Sequence, residues 1–239
     1  MLPGITLPSY VEEPVQGVAG IHVSSSQEWK TGRGGRIFLF KWGMIVTYSI
    51  ETSNNYMRFA LESLYLQNRY SHRTCIIDVT SFYSIKDIIH CVRRNVYSTR
   101  FMFIGDAGVH SRALLPLITI ESKWPLSRYY EAIRHCPGVD YETVMDILLA
   151  HRNMEHFSHR EKTTVYGLLL KDSMIDAANE IGVRPKLFYQ RVDRLAKMLN
   201  MRSRLQVLQF FKYEYHPSFV LAKINNQVRV SVRKQLSTW

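Results

Sequence analysis

An α/β domain followed by an all-α domain is the fold class that this sequence predicts. Short apolar runs alternate with amphipathic stretches from Ile37 onward, the mark of βα units and a parallel sheet. From Phe157 the apolar residues recur at helical spacing instead. The Pro-Gly break in "HCPGVD", residues 135–140, separates the two textures.

Residues 1–43 are expected to form a poorly ordered leader. Prolines, the serine run at 24–26 and "TGRGGR" at 31–36 interrupt any regular period there. "TGRGGR" lacks the Gly-Lys-Ser/Thr ending of a phosphate-cradling loop and follows no clear strand, so it reads as a flexible basic linker. Met44, at the head of the first strand, is a candidate natural start.

Residues 44–140 form the expected α/β domain. "MIVTYSI" (44–50), "TCIIDV" (74–79), "RFMFIG" (100–105) and "LPLITIE" (115–121) read as strands, and 56–66, 85–92 and 126–134 as helices. Residues 141–156, with a helix or linker over 141–151, join it to the all-α domain at 157–215. The tail at 216–239 is basic, and its "QVRVSVRK" alternates like an edge strand.

The chain's composition limits its partners. Hydrophobic residues make up 46% of 239 residues, which fits folded domains and argues against wholesale disorder. A formal net charge of +11 points to a polyanion, nucleic acid or an anionic membrane surface. No apolar run is long enough to span a bilayer, and the N-terminus lacks a secretory signal pattern. Cys75, Cys91 and Cys136 form neither an even set nor a metal-ligand spacing, so a reducing cytoplasm is expected.

In the all-α part, Met174, Ala177, Ala178 and Ile181 form one apolar stripe, and Phe188, Val192, Leu195 and Leu199 form another. Gly182 stops the first helix, and Pro185 suits the first turn of the second. Two short helices joined tightly are the ingredients of a helix-turn-helix. Opposite the second stripe lie Lys186, Tyr189, Gln190, Asp193 and Lys197, flanked by Arg191 and Arg194. In a major groove Gln190 would bond an adenine edge, Tyr189 a base or phosphate, and the lysines phosphates. Residues 184–204 hold seven basic residues and one acidic one, a balance of 7 − 1 = +6. A solvated surface helix also carries such charge, and the neighbouring helix with its Gly stop and Pro start favours DNA.

Residues 157–204, "FSHREKTTVYGLLLKDSMIDAANEIGVRPKLFYQRVDRLAKMLNMRSR", resemble without a gap the DNA-binding domain of LuxR-type transcription regulators. The family's Leu-Thr-x-Arg-Glu opening falls on Phe157, Ser158, His159, Arg160 and Glu161, its scaffold-helix serine on Ser173, and its Ile-Ala pair on Ala177 and Ala178. Its Lys-Thr-Val falls on Lys186, Leu187 and Phe188, and its closing pattern on Met198, Leu199, Met201 and Arg204. Lys171 replaces a usual glycine, Arg191 a common histidine, and Asp193 a frequent basic or polar groove contact. The resemblance implies that Tyr189, Gln190 and Asp193 face bases and that 205–215 helps to pair two subunits.

The α/β part is similar to the receiver domain that often precedes such DNA-binding domains. Asp78 in "CIIDVTSF" matches the phospho-acceptor after the third strand. The Mg²⁺-holding acidic pair falls on Thr52 and Ser53, and the fifth-strand lysine on Ser122, with Lys123 one position late. Without carboxylates a hard cation is poorly held, so a structural role for Asp78 is expected over phosphorylation. A receiver-like domain without its switch is similar to enterobacterial auxiliary regulators of the Rcs type, which pair with a response regulator.

The resulting expectation is a cytoplasmic, sequence-specific transcription regulator binding double-stranded DNA as a homodimer or a heterodimer with a response regulator. The alternative is an auxiliary interaction protein that binds DNA weakly by itself. No enzyme activity, cofactor, metal or membrane partner is expected. His151, His156 and His159 lack a metalloprotease spacing, and adjacency of His90 to Cys91 or His135 to Cys136 is no mark of a catalytic pair.

Overall fold

The computed structural model describes residues 28–30, 35–39, 45–67 and 73–236. Its elements in chain order are β1 (Glu28–Lys30), β2 (Gly35–Leu39), β3 (Ile45–Glu51), α1 (Asn55–Gln67), β4 (Thr74–Asp78), α2 (Ile85–Arg94), β5 (Arg100–Gly105), α3 (Val109–Ala113), β6 (Ile118–Glu121), α4 (Leu126–His135) and α5 (Tyr141–Arg152). There follow α6 (His159–Leu170), α7 (Met174–Glu180), α8 (Pro185–Met198), α9 (Arg204–Glu214) and α10 (Pro217–Leu236).

The strands make one sheet in the order β1-β2-β3-β4-β5-β6, with β3 to β6 parallel and β1 and β2 antiparallel at one edge. Every residue of β4 and β5 is buried, which is why both read as unbroken apolar runs rather than alternating ones. Ile50, Ile76, Met102, Ile104 and Ile120 pack under Leu61, Leu64, Tyr65, Tyr129 and Ile133 of α1 and α4. Cys75, Ile77, Phe101 and Phe103 point to the other face, against α2, α3 and α5. The result is a three-layer α/β/α arrangement.

Four expectations are corrected. First, two segments of the expected leader, Glu28–Lys30 and Gly35–Leu39, are strands; the rest of 1–43 lies outside the described residues. β2 hydrogen-bonds the edge that β3 would otherwise leave open, and β1 pairs with β2, a stabilisation no local period announces. Second, Asp78 closes β4, the second of the parallel strands, whereas the receiver resemblance puts its acceptor after a third.

Third, 141–156 is no linker between separate cores. Gly138, at φ +68°, turns the chain where a Cβ would meet Arg100 and the Phe101 carbonyl, and Val139 exchanges backbone hydrogen bonds with Phe101. Asp140 caps α5 by accepting from the Thr143 amide. Val144 and Leu148 of α5 then join an apolar cluster that continues through Phe157 to Phe188, Val192, Leu195, Phe210 and Val220. Sheet and helices share one core.

Fourth, the tail expected as an edge strand is α10. His216 starts it, its carbonyl accepting from the Phe219 and Val220 amides, and α10 packs along α6 with Val220 fully buried. Val220, Ile224, Val228 and Val232 recur every four residues, a helical spacing that the local alternation of "QVRVSVRK" obscures.

One buried carboxylate fixes the helices to the sheet unit. Glu214 Oε1, at the end of α9, accepts from the Ile85 amide at 2.8 Å and from His110 Nε2 at 2.8 Å. It thereby satisfies an otherwise open donor at the start of α2 and holds α3 against α9. Replacing Glu214 by Ala strands both donors and is expected to lower stability by about 2 to 4 kcal/mol in urea unfolding. Glu214→Gln keeps an acceptor for Ile85 and should lose less than half of that; equal losses would show that the carbonyl oxygen is not what matters.

Candidate functional site

The region around α8 is built from the helix ends inward. Ser158 and Glu161 form a reciprocal capping box at the start of α6, and Ser173 caps α7 by accepting from the Ile175 and Asp176 amides. α7 stops at Gly182, whose φ of +66° is the left-handed conformation that other residues adopt at a cost. Pro185 then occupies the first turn of α8, where no amide donor is needed.

Phe188, Val192, Leu195, Ala196 and Leu199 turn inward and are buried, as the apolar spacing predicts. Burial of a side chain such as Phe188 contributes about 2 to 3 kcal/mol, so the helix cannot rotate about its axis without losing several such terms. Its opposite face is therefore fixed. Lys186, Gln190 and Lys197 are exposed, Tyr189, Arg191 and Asp193 half-buried, and Lys186, Tyr189, Gln190, Asp193 and Arg204 line one open depression.

Asp193 is not a free carboxylate on that face. Arg204, at the start of α9, donates from Nε to Oδ1 at 2.6 Å and from a terminal nitrogen to Oδ2 at 2.8 Å. This bidentate bond holds the Asp193 carboxyl below the usual carboxylate range. The Arg204 guanidinium also lies 4.8 Å over the Tyr189 ring, so one arginine orients two of the expected base-facing residues. Arg204 was visible in the sequence only as part of the closing pattern. An aspartate alone among seven basic residues was the signal that it had a partner.

Arg194 is placed differently from Lys186 and Gln190. Its Nε lies 3.2 Å from Glu161 Oε1, so it braces α8 against the capped end of α6. Lys171 pairs with Glu180 at 3.2 Å, and Lys212 with Asp172 at 2.7 Å, tying α6, α7 and α9 together. These basic residues have structural partners. Lys186, Arg191 and Lys197 enter none of the ion pairs found among the described residues.

At the carboxyl end of the sheet, Asp78 is 2% exposed and accepts four hydrogen bonds. Oδ1 takes the Thr80 amide at 3.1 Å and its hydroxyl at 2.7 Å; Oδ2 takes Thr52 and Ser81 hydroxyls, each at 2.7 Å. Ser53 donates to Ser81 through both its amide and its hydroxyl. Thr52 and Ser53, aligned with the receiver's acidic pair, thus sit beside Asp78 as hydroxyl donors. Ser122 donates its amide to the Gly105 carbonyl, and Lys123 is exposed.

The remaining candidates do not converge on chemistry. His151 and His156 rings lie 5.5 Å apart, whereas His159 is exposed in the first turn of α6. Burial, then the neighbouring His156, push His151 down to about 4. Burial raises the thiols of Cys75 and Cys91, the latter to about 12, which disfavours the nucleophilic thiolate. His135 pairs with Glu131 at 3.1 Å, away from its sequence neighbour Cys136.

Asp78→Ala removes the acceptor for the buried Thr52 hydroxyl and for the less buried Ser81 and Thr80, and is expected to cost about 1 to 3 kcal/mol by denaturant unfolding; a loss below about 0.5 kcal/mol would contradict the network. His151 gives a pH signature. Its proton affinity is lower folded, at about 4, than unfolded, at 6.5, so the unfolded chain takes up the proton first as pH falls between these values. Stability present above pH 6.5 should decline toward pH 4, by at most about 1.4 kcal/mol per pH unit from this group. His151→Leu should flatten that decline, and an unchanged slope would rule His151 out as its source. No protein-family model matches the chain, and no curated protein matches it.

Proposed function

We propose that the protein is a sequence-specific DNA-binding transcription regulator. In this reading α7 and α8 are a helix-turn-helix, and α8 is the helix that enters the major groove. The observation that carries the reading is the fixed outer face of α8, where Lys186, Tyr189 and Gln190 share one open depression backed by a buried stripe. Gln190 has the donor and acceptor for an adenine edge, and Lys186 and Lys197 neutralise phosphates. The chain's +11 charge supplies the long-range attraction.

Asp193 and Arg204 refine this picture. Paired, they present little net charge, so Asp193 does not repel the backbone, and Tyr189 is held for contact rather than searching for it. The α/β unit acts in partner contact without phosphorylation, because the Asp78 oxygens are occupied by hydroxyl and amide donors. A dimer, with itself or with a response regulator, would span two half-sites.

The second reading, an auxiliary protein that modulates a response regulator and binds DNA weakly alone, is favoured by the same Asp193–Arg204 bond. If that bond persists on DNA, Asp193 reads no base.

Selection from a random duplex pool at two salt concentrations separates the readings. Direct base reading enriches a half-site or palindrome that survives higher salt; the auxiliary reading gives no enrichment and weak, salt-sensitive binding. On the enriched site Gln190→Ala should cost about 1 to 3 kcal/mol at one base position, and Lys186→Ala should weaken all sequences alike. Equal losses from both variants across scrambled sites would remove Gln190 from base reading.

A further inference from the structure

Four of the residues that line the depression belong to α8, and the fifth, Arg204, reaches it from α9. The start of α9 is set by Ser203, which accepts from the Gln206 amide, and by Gln206, whose side chain accepts from the Arg202 amide. Val207, Phe210 and Phe211 of α9 are fully buried, which fixes the side of the helix from which Arg204 departs. Its guanidinium lies 4.8 Å over the Tyr189 ring, with Nε 2.6 Å from Asp193 Oδ1 and a terminal nitrogen 2.8 Å from Oδ2. Arg204 is thus held at its base by the capped helix and at its tip by two residues of α8.

A guanidinium is planar and carries its N–H donors along fixed edges. Asp193 fills the side-on edge, made of Nε and one terminal nitrogen. The end-on edge, made of the two terminal nitrogens, points elsewhere in the same plane, and the Tyr189 ring against that plane limits its tilt. Both charged side chains remain 46% exposed. A donor pair oriented before its ligand arrives suits a ligand with two adjacent acceptors. Duplex DNA offers two such ligands, the phosphate oxygens and the O6 and N7 of guanine. Charge decides between them. Asp193 cancels the positive charge of Arg204, which removes most of the attraction that a phosphate contact depends on and leaves the directional donors in place. Lys186 and Lys197, which enter none of the ion pairs found among the described residues, keep their charge for phosphates.

We propose that Arg204 reads a guanine in the major groove, its end-on edge donating to O6 and N7, and that Asp193 is the positioning residue that holds that edge in place. The assignment rests on the reading of α8 as the helix that enters the groove. Gln190 and Asp193 stand three positions apart on α8, a rise of about 4.5 Å, and successive units of one DNA strand are about 3.4 Å apart. The guanine is therefore expected about one or two base pairs from the base that Gln190 meets. The lone aspartate among the basic residues of 184–204 gains a role in this arrangement: it contacts no base itself and directs the arginine that does.

The test starts from the duplex motif that the full chain enriches from a random pool, and alters the DNA before the protein. Replacing each guanine of the motif in turn by 7-deazaguanine removes the N7 acceptor and keeps the base pair. At one guanine this should weaken binding of the unsubstituted chain by about fivefold or more, and the same change should leave Arg204→Ala unaffected, because the donor is already gone. Arg204→Ala should lose discrimination for guanine at that position by about 5- to 150-fold and keep it elsewhere. Asp193→Asn should relax the same position while raising affinity for random-sequence duplex, a combination that a merely structural ion pair does not produce. Thermal unfolding checks that the variants fold; the 7-deazaguanine comparison in the unsubstituted chain does not depend on them. Uniform weakening of all sequences by Arg204→Ala, with no 7-deazaguanine that separates it from the unsubstituted chain, assigns the guanidinium to a phosphate and overturns guanine reading, while base reading by Gln190 stands. A motif without guanine within about two base pairs of the Gln190-dependent position overturns it in the same way. Failure to enrich any motif overturns both this assignment and the proposed function.

Discussion

The outer surface of α8 depends on what its inner surface does. Phe188, Val192, Leu195 and Leu199 are buried in the same cluster that reaches Phe101 and Phe103 of the sheet, so the helix is locked in rotation by a core larger than its own unit. Side-chain positions on a helix are tied to each other by the helical repeat, and fixing one stripe fixes the opposite one. Lys186, Gln190 and Lys197 are therefore presented by packing. The hydrogen-bonded clasp at Glu214 works in the same direction, since it sets α9, and with it Arg204, relative to α2 and α3.

Charge in the helical part falls into two populations. Arg194, Lys171, Lys212 and Arg204 are paired across element boundaries and act as braces. Exposed pairs of this sort contribute little stability each, about 0 to 1 kcal/mol, but they decide where a long side chain points. Lys186, Arg191 and Lys197 on α8 enter none of the ion pairs found among the described residues. A count of basic residues merges the two populations, and only the partners separate them.

Much of the fold was legible because burial leaves a period. Continuous apolar runs marked β4 and β5, and the i, i+3, i+4 spacing marked α7 and α8. What escaped notice was set by distant groups. β1 and β2 owe their conformation to the open edge of β3, and α10 owes its helix to the surface of α6, which overrides an alternating local pattern. The 141–156 segment is hidden for the same reason: Val144 and Leu148 are buried against residues of β5 and α2, which are distant in sequence. At the candidate site the exposed residues of α8 followed from periodicity. Arg204 did not, because an ion pair spanning eleven positions crosses a loop between two helices.

Asp78 is enclosed by donors from Thr52, Thr80 and Ser81, so its oxygens have no lone-pair direction left for an incoming phosphoryl group or a cation. The hydroxyl hydrogen bonds are short and come from the loops after both β3 and β4, which ties the two loop ends together. Opening this loop pair strands the buried Thr52 hydroxyl and the buried Asp78 carboxylate, which favours the joined arrangement. In the proposed reading, regulation through the α/β unit would come from what binds its surface, and the shared core and the Glu214 clasp connect that unit to α8. Mutual support of this kind joins the two units, so that in the proposed reading a partner on the sheet unit would bias α8 by adding contacts and not by releasing a switch.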